Sequence, residues 1–490
     1  MSHARHRVVL LSIDGGGSQI VQRLLASGAL KGGAFDGIAS RGVAAEGMRP
    51  PDVASTPVSH ATIYTGTWPS THGVTGVGLP GESISAPARS GFTIPTSVDR
   101  LWTVAQQAGR RVLCFGAVGA DAMSPATTCT YTVPFAAMTG PVAGRPKLTG
   151  DTTLNDIERA IGVSPGGPDS RRVTSGELSE AQYVSDATRF AEFQGRAVLR
   201  ELARRDWDLL IVYMPLMDNL QHRYLLTDPR QSEYGDESGA RRARFGRYIE
   251  DGWRAVDRIL ASWLAAAPDT NFVVVGDHGM TPIHSVVVLN NVLASAGLKV
   301  GGPDADVRAL SSGGSAQIYV NSARRFSKGS VPDDQVSSIV GRVEAACSAV
   351  VDPVTGKRVF VKVSSPPPAL AHPAAGEVFV VADHGWGVTG RFEPKVPWFV
   401  PSSLSPDARQ RISRSPEEER FLADGGLNEL SLGIHGARPA DPDVRAMFLA
   451  IGPDVPRARR GIVAMTDVAP TVLGLLGVPS PAWVTGRKVF

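Results

Sequence analysis

The sequence is short of cysteine, of excess charge and of long apolar runs, and each shortage excludes something. Only three cysteines occur in 490 residues, Cys114, Cys129 and Cys347. They are scattered, odd in number and show no Cys-x-x-Cys spacing. That argues against a disulfide framework and against a structural zinc module. Basic residues exceed acidic ones by 50 − 47 = +3. So even a balance argues against a dedicated nucleic-acid or membrane-surface binder. No apolar run approaches the roughly 20 residues that cross a bilayer as a helix. The N-terminal run Val8-Val9-Leu10-Leu11-Ser12-Ile13 is too short for a secretory signal, and Asp14 and glycines follow it rather than a cleavage site. The default expectation is a cytoplasmic protein, with a secreted form that has lost its signal left open.

What is present is the composition of a folded protein, 42% hydrophobic and 20% charged. The length calls for two domains, or one large α/β domain with an insertion. Short apolar, β-branched runs at 7–13, 111–115, 208–214 and 271–275 read as buried parallel strands. Helical patterns lie between them. In 240–267, Phe245, Ile249, Trp253, Val256, Leu260 and Trp263 recur every three or four residues and paint one stripe. Weaker patterns cover 182–205 and 97–109. Strands alternating with helices predict a doubly wound, mostly parallel sheet flanked by helices. From about Pro282 to Gly425 the pattern becomes mixed. It has a strand at 316–320, a helix at 334–349, a Pro-rich stretch at 364–373 and a charged segment at 406–419. The expected organisation is a core of residues 1–285 and 426–490, interrupted by a smaller α+β cap at 286–425. A terminal helix opens at Thr466-Asp467-Val468-Ala469-Pro470.

Several chemically able residues sit at the ends of these runs. Asp14 ends the first strand and opens the run Gly15-Gly16-Gly17, where open α/β sheets bind ligands. Asp218 and His222 follow the third, four apart, so one helical turn can face them the same way. Carboxylate and imidazole suit zinc or a similar ion. Asp277 and His278 end the fourth. A second pair, Asp383-His384, follows another apolar run, and spacing alone does not separate the two. His435 lies in Gly433-Ile434-His435-Gly436. Thr56 precedes Pro57, which reads as a helix start with Thr56 at the cap and Pro57 in the first turn. Such a helix end also suits a phosphate. As a nucleophile, Thr56 needs activation, which a divalent cation supplies.

Taken in order, Asp14, Thr56, Asp218-x-x-x-His222, Asp277-His278 and Gly433-x-His435-Gly436 resemble the alkaline phosphatase superfamily, and within it the type I phosphodiesterase/nucleotide pyrophosphatase branch. Thr56-x-x-x-His60, the run Tyr64-Thr65-Gly66-Thr67-Trp68-Pro69-Ser70-Thr71-His72-Gly73 and the tail from Asp467 add to the likeness, which covers about 7–285 and 426–485. The resemblance implies a two-metal site. Asp14, Thr56, Asp277 and His278 would surround one ion, and Asp218, His222 and His435 the other. Zinc is the first expectation and manganese the alternative, since Asp and His donors serve both. It favours Asp277-His278 over Asp383-His384, and leaves His60 and His72 outside the metal shell. It further implies in-line attack by Thr56, a phospho-threonine intermediate and retention at phosphorus. Val77 stands about where nucleotide pyrophosphatases carry an Asn that binds a phosphate oxygen, and the aromatic cluster that grips a base is missing nearby.

The expectation is therefore a metal-dependent phosphoric ester hydrolase of the phosphodiesterase kind. Its substrate would be a small phosphate ester or phosphonate, with no nucleic-acid or membrane partner. A monoesterase or a phosphonoacetate-type phosphonate hydrolase on the same site is the alternative, and a non-catalytic metal-binding protein stands behind both. A phosphomutase usually carries Ser as nucleophile, and a sulfatase needs a Cys or Ser precursor with a following Arg, which Thr56-Pro57-Val58-Ser59-His60 lacks.

Overall fold

A computed structural model of the chain describes residues 7–120, 129, 131–133, 152–235, 238–402, 415–423 and 431–490. The four apolar runs form neighbouring strands of one eight-stranded sheet. From edge to edge the strands are Ala458–Ala464, Val43–Arg49, Phe448–Ile451, Asn271–Gly276, Val8–Ile13, Leu209–Met214, Val112–Phe115 and Tyr131–Val133. Phe448–Ile451 runs antiparallel to both neighbours, and the other pairs are parallel. The three central strands are buried along their whole length. Their near-continuous apolar sequences follow from having both faces covered. Alternation divides each strand between two cores. Val9, Leu11 and Ile13 pack with Phe190, Trp253 and Trp263 on one face, and Val8 and Leu10 pack with Tyr64, Trp102 and Val472 on the other.

The long helices Glu180–Arg204 and Ala240–Ala266 cover the first face. Ser179 and Gln182 start the former with a reciprocal capping box. Trp263 donates its indole N–H to the carbonyl of Gly195, 3.0 Å away, which locks the two helices together. The pattern at 97–109 yields a shorter helix, Leu101–Gln107. No side chain caps it. Arg100, at its cap position, sends its guanidinium to the carbonyls of Gly119 and Ile94 instead. The helix expected at 334–349 is Val336–Ser348, preceded by a 3-10 turn at Asp333–Gln335. Most of the charged stretch at 406–419 lies outside the described residues, and Pro416–Ala423 is helical.

Residues 307–382 build a second, fully antiparallel sheet in the order Val307–Ser312, Ser315–Val320, Val378–Ala382 and Phe360–Ser364. The Val336–Ser348 helix packs in its core. Phe379 and Val381 of this sheet pack against Val58 and Ala61 of the helix Thr56–Thr65. The strand Thr281–Val288 leaves the main sheet and pairs with Gly385–Thr389, Phe399–Pro401 and Gly433–Ile434. Among the described residues no helix is long and apolar enough to cross a membrane.

Two expectations are corrected here. Cys114 and Cys129 form a disulfide, where the scattered cysteines argued against a disulfide framework. Their separation of 15 residues resembles no short motif, but Cys114 lies on the strand beside Tyr131–Val133, and Cys129 just precedes that neighbour. Parallel pairing brings them together. The helix that Thr56 was expected to cap instead includes it. Ser55 holds the cap position without a side-chain cap bond, and Thr56 is the first helical residue.

Candidate active site

Three adjacent strands, Asn271–Gly276, Val8–Ile13 and Leu209–Met214, end together, and the residues just past each end build the site. Asp14 follows the middle strand, its backbone N–H held by the carbonyl of Met214 at 2.9 Å. The chain then turns at Gly15, whose φ of +70° is left-handed and whose Cβ position lies 2.8 Å from Gln221 Nε2. A side chain there would meet both obstacles. Asp277 and His278 follow the strand Asn271–Gly276. Asp218 and His222 sit on the helix Leu216–Tyr224 after the third. As the i, i+4 spacing predicts, they face each other, with His222 Nε2 at 3.3 Å from Asp218 Oδ1.

Thr56 comes in from the sheet's other half, at the N-terminus of its helix. Its Oγ1 is 3.3 Å from His278 Nε2. The same nitrogen lies 3.3 Å from Asp14 Oδ1 and 3.3 Å from Asp277 Oδ2. His278 Nδ1 donates to the carbonyl of Gly279 at 3.2 Å, which leaves the Nε2 lone pair facing Thr56 and the carboxylates. His222 is oriented likewise, Nδ1 donating to the carbonyl of Gly433 at 2.8 Å. His435 follows the short strand Gly433–Ile434 and stacks its ring on that of His278, centroids 3.9 Å apart.

The acceptors here are conspicuously unmet. Asp14 Oδ1, Asp218 Oδ1, Asp277 Oδ2 and His435 Nδ1 are buried without a hydrogen-bond partner. Asp14, Asp277 and His278 each offer a ligand atom within 4.8 Å of the others, and so do Asp218, His278 and His435. Burial drives the Asp14 carboxyl well above its ordinary range, and the charges of Asp218 and Asp277 push the same way. Burial likewise raises Asp277 to about 7. Burial would also raise Asp218, but His222 beside it, with His435 and His278, holds it low. Burial depresses His278 well below the usual histidine range and His435 to about 4. Against its burial, Asp218 holds His222 above its usual range, but three carboxylates stand against it, and with the open lone pairs of His278 and His435 they leave a largely buried set short of positive charge. Divalent cations fit that lack.

Residues 8–415 match the sequence model of type I phosphodiesterase / nucleotide pyrophosphatase. The chain belongs to this family. It is a phosphoric ester hydrolase of an alkaline phosphatase-like fold. Murine ectonucleotide pyrophosphatase/phosphodiesterase 5 is similar in structure, with a TM-score of 0.58 and 15% identity over 97% of this chain and 96% of that one. An inactive threonine-to-alanine form of the murine protein, in complex with AMP, matches to the same extent. The human counterpart gives 0.57 and 14% over 99% and 98%. At such identities the likeness shows the fold. No curated protein is significantly similar in sequence.

The structure brings Asp14, Thr56, Asp218, His222, Asp277, His278 and His435 into one place. His278 falls in both candidate ligand groups rather than one, and His222 reaches the cluster through Asp218. His384 stays away, 3.4 Å from Asp441. His60 is buried beneath Thr56. Its Nδ1 donates to the Thr56 carbonyl at 2.8 Å, and its Nε2 accepts from Ser12 at 2.9 Å. His72 Nε2 meets Thr62 Oγ1 at 3.1 Å within the same helix environment. Val77 offers no side-chain donor, and its backbone N–H goes to Ser312 Oγ at 3.0 Å. Two polar contributors escaped the sequence reading. Tyr213 donates its hydroxyl to Asp14 Oδ2, and Ser12 holds His60. The signal was there, since each is a polar group inside an otherwise apolar buried strand.

Proposed function

We propose that the chain hydrolyses small phosphodiesters at a site for two divalent cations, with Thr56 as the nucleophile. Asp14, Thr56, Asp277 and His278 would hold one ion, and Asp218, His222 and His435 the other, zinc being the first candidate. The observation that carries this reading is the group of buried, unpartnered acceptors on Asp14, Asp218, Asp277 and His435 gathered about Thr56. Bound there, the ions supply Lewis-acid charge that makes the Thr56 hydroxyl ionisable and offsets the charge of the phosphate.

The chain's own residues do the rest. The Thr56 hydroxyl gives its proton to solvent, Oγ1 attacks phosphorus, the bond to the departing alkoxide breaks, and the alcohol leaves with a proton from solvent. Water then attacks the phospho-threonine, freeing Thr56 and the phosphate monoester. Two in-line displacements give retention at phosphorus. Thr56 heads its helix, so the unbonded N–H groups of the first turn and the positive end of the helix dipole face the phosphate. With Val77 in place of an amide side chain, the backbone N–H groups of Thr56 and Val58 are the available donors to a phosphate oxygen. The AMP bound by the murine neighbour supports a nucleotide-sized ester as substrate. A monoester or phosphonate on the same site is the competing reading. The Cys114–Cys129 bond supports folding in an oxidising compartment over the cytoplasmic default.

The deciding experiment is hydrolysis of bis-(p-nitrophenyl) phosphate and p-nitrophenyl phosphate by metal-stripped protein, with zinc or manganese restored. Metal-dependent preference for the diester is expected, and preference for the monoester would move the assignment to a phosphatase. Thr56→Ala is expected to cut turnover on the order of 10³-fold or more. Unchanged turnover would remove Thr56 as the nucleophile.

A further inference from the structure

We propose that Tyr213 is a positioning residue that sets the orientation of the Asp14 carboxylate, an inference that rests on the metal-site reading above. Tyr213 stands opposite Ser12 in the parallel pairing of Leu209–Met214 with Val8–Ile13. One strand thus holds Asp14 twice. The carbonyl of Met214 fixes its backbone N–H at 2.9 Å, and the Tyr213 hydroxyl donates to its Oδ2. A carboxylate tied by one oxygen cannot turn freely about its last torsion. The other oxygen, Oδ1, is left without a partner, 3.3 Å from His278 Nε2, where it faces the site.

The phenol is itself well held. Tyr213 is buried, and the ring of His60 stands edge-on to it with centroids 5.4 Å apart. His60 in turn is fixed to Ser12 and to the Thr56 carbonyl. The layer that anchors the first turn of the Thr56 helix therefore also anchors the donor to Asp14. Without the hydroxyl, Asp14 shares a largely buried space with Asp218 and Asp277 and has one restraint fewer against turning away from them. If Tyr213 served packing alone, phenylalanine would do as well. Partners that orient ligands in this way are worth about 10–100-fold in metal affinity or activity.

The test is a cycle of wild type, Tyr213→Phe, Asp14→Asn and the double variant, all as the full chain. Zinc affinity is read by chelator competition and the fold by near-UV circular dichroism. Tyr213→Phe is expected to weaken zinc binding about 10–100-fold. In the Asp14→Asn background the same change is expected to add less than about twofold, because the group it acts through is gone. Zinc affinity unchanged by Tyr213→Phe, or an equal loss in both backgrounds, overturns the proposal. If Tyr213→Phe does not fold, the double variant, which removes the buried charge along with its donor, must recover the fold; failure to do so also overturns it. A wild-type chain that binds no zinc or manganese overturns the metal-site reading itself, a result distinct from the others.

Discussion

Asp277-His278-Gly279 and Asp383-His384-Gly385 are the same three residues after the same kind of apolar run, and they meet opposite surroundings. The first ends a central parallel strand. Both its side chains are fully buried, Asp277 Oδ2 has no hydrogen-bond partner, and His278 Nε2 faces Thr56. Gly279 is needed there because a Cβ would lie 1.9 Å from the carbonyl oxygen of Asp443. The second lies between Val378–Ala382 of the antiparallel sheet and Gly385–Thr389. Its histidine is 40% exposed and paired with Asp441. One pair has been stripped of water and left with unmet acceptors, while the other is solvated and satisfied. A tripeptide carries the donor atoms. Its place at the carboxyl end of a central strand decides whether those atoms are gathered with others of their kind.

The sharpest way to break this comparison is to disarm each histidine in turn. His278→Ala is expected to lower kcat/KM for a phosphodiester by about 10²-fold or more and to reduce bound metal. His384→Ala is expected to leave kcat/KM within about twofold. Equal losses would mean that the two segments had been wrongly ranked.

A second difference concerns stability without metal. Asp277 titrates at about 7 in the folded chain against an ordinary 3.8, because burial penalises its charge. Between those values the folded chain holds a proton that the unfolded chain has released. The stability tied to that proton is fully present below 3.8 and is lost as pH rises through 7. Asp277→Asn carries no such penalty. It is expected to raise the Tm of metal-stripped protein more at pH 8 than at pH 4, and, if the proposed zinc site is right, to lower the Tm of protein loaded with zinc. A Tm difference independent of pH in the stripped protein would contradict the burial argument.

The smallest effect belongs to the solvated pair. The Asp441 contact holds the His384 imidazolium above its ordinary range, so whatever the pair contributes is present at low pH and lost as pH rises through the folded value. Exposed pairs of this kind contribute under about 1 kcal/mol. Denaturant melts of His384→Ala at pH 5 and pH 8 are expected to differ from wild type by less than that, with the larger loss at pH 5.

Much of the fold was legible because its determinants are local. The apolar runs became the central strands, and the stripe through Phe245, Trp253 and Leu260 became the long helix Ala240–Ala266. Asp218 and His222 could be paired from sequence because i, i+4 is set within one helical turn. The rest depended on long-range geometry. Nothing near Cys129 announces that the strand just after it will lie beside that of Cys114. Nothing near Tyr213 announces that Asp14 will stand within reach of its hydroxyl. Helix ends were placed less well than helix bodies, since the cap at Ser55 makes no side-chain bond by which to recognise it.

The stacking of His435 on His278 also has a bearing on synthesis. The cluster draws on Asp14, just past the strand Val8–Ile13, and on a ring from far later in the chain, His435, which closes over it. A partly made chain can fold its early strands and helices while presenting only a fraction of these groups. The cluster is therefore complete only when parts of the polypeptide more than four hundred positions apart have found one another.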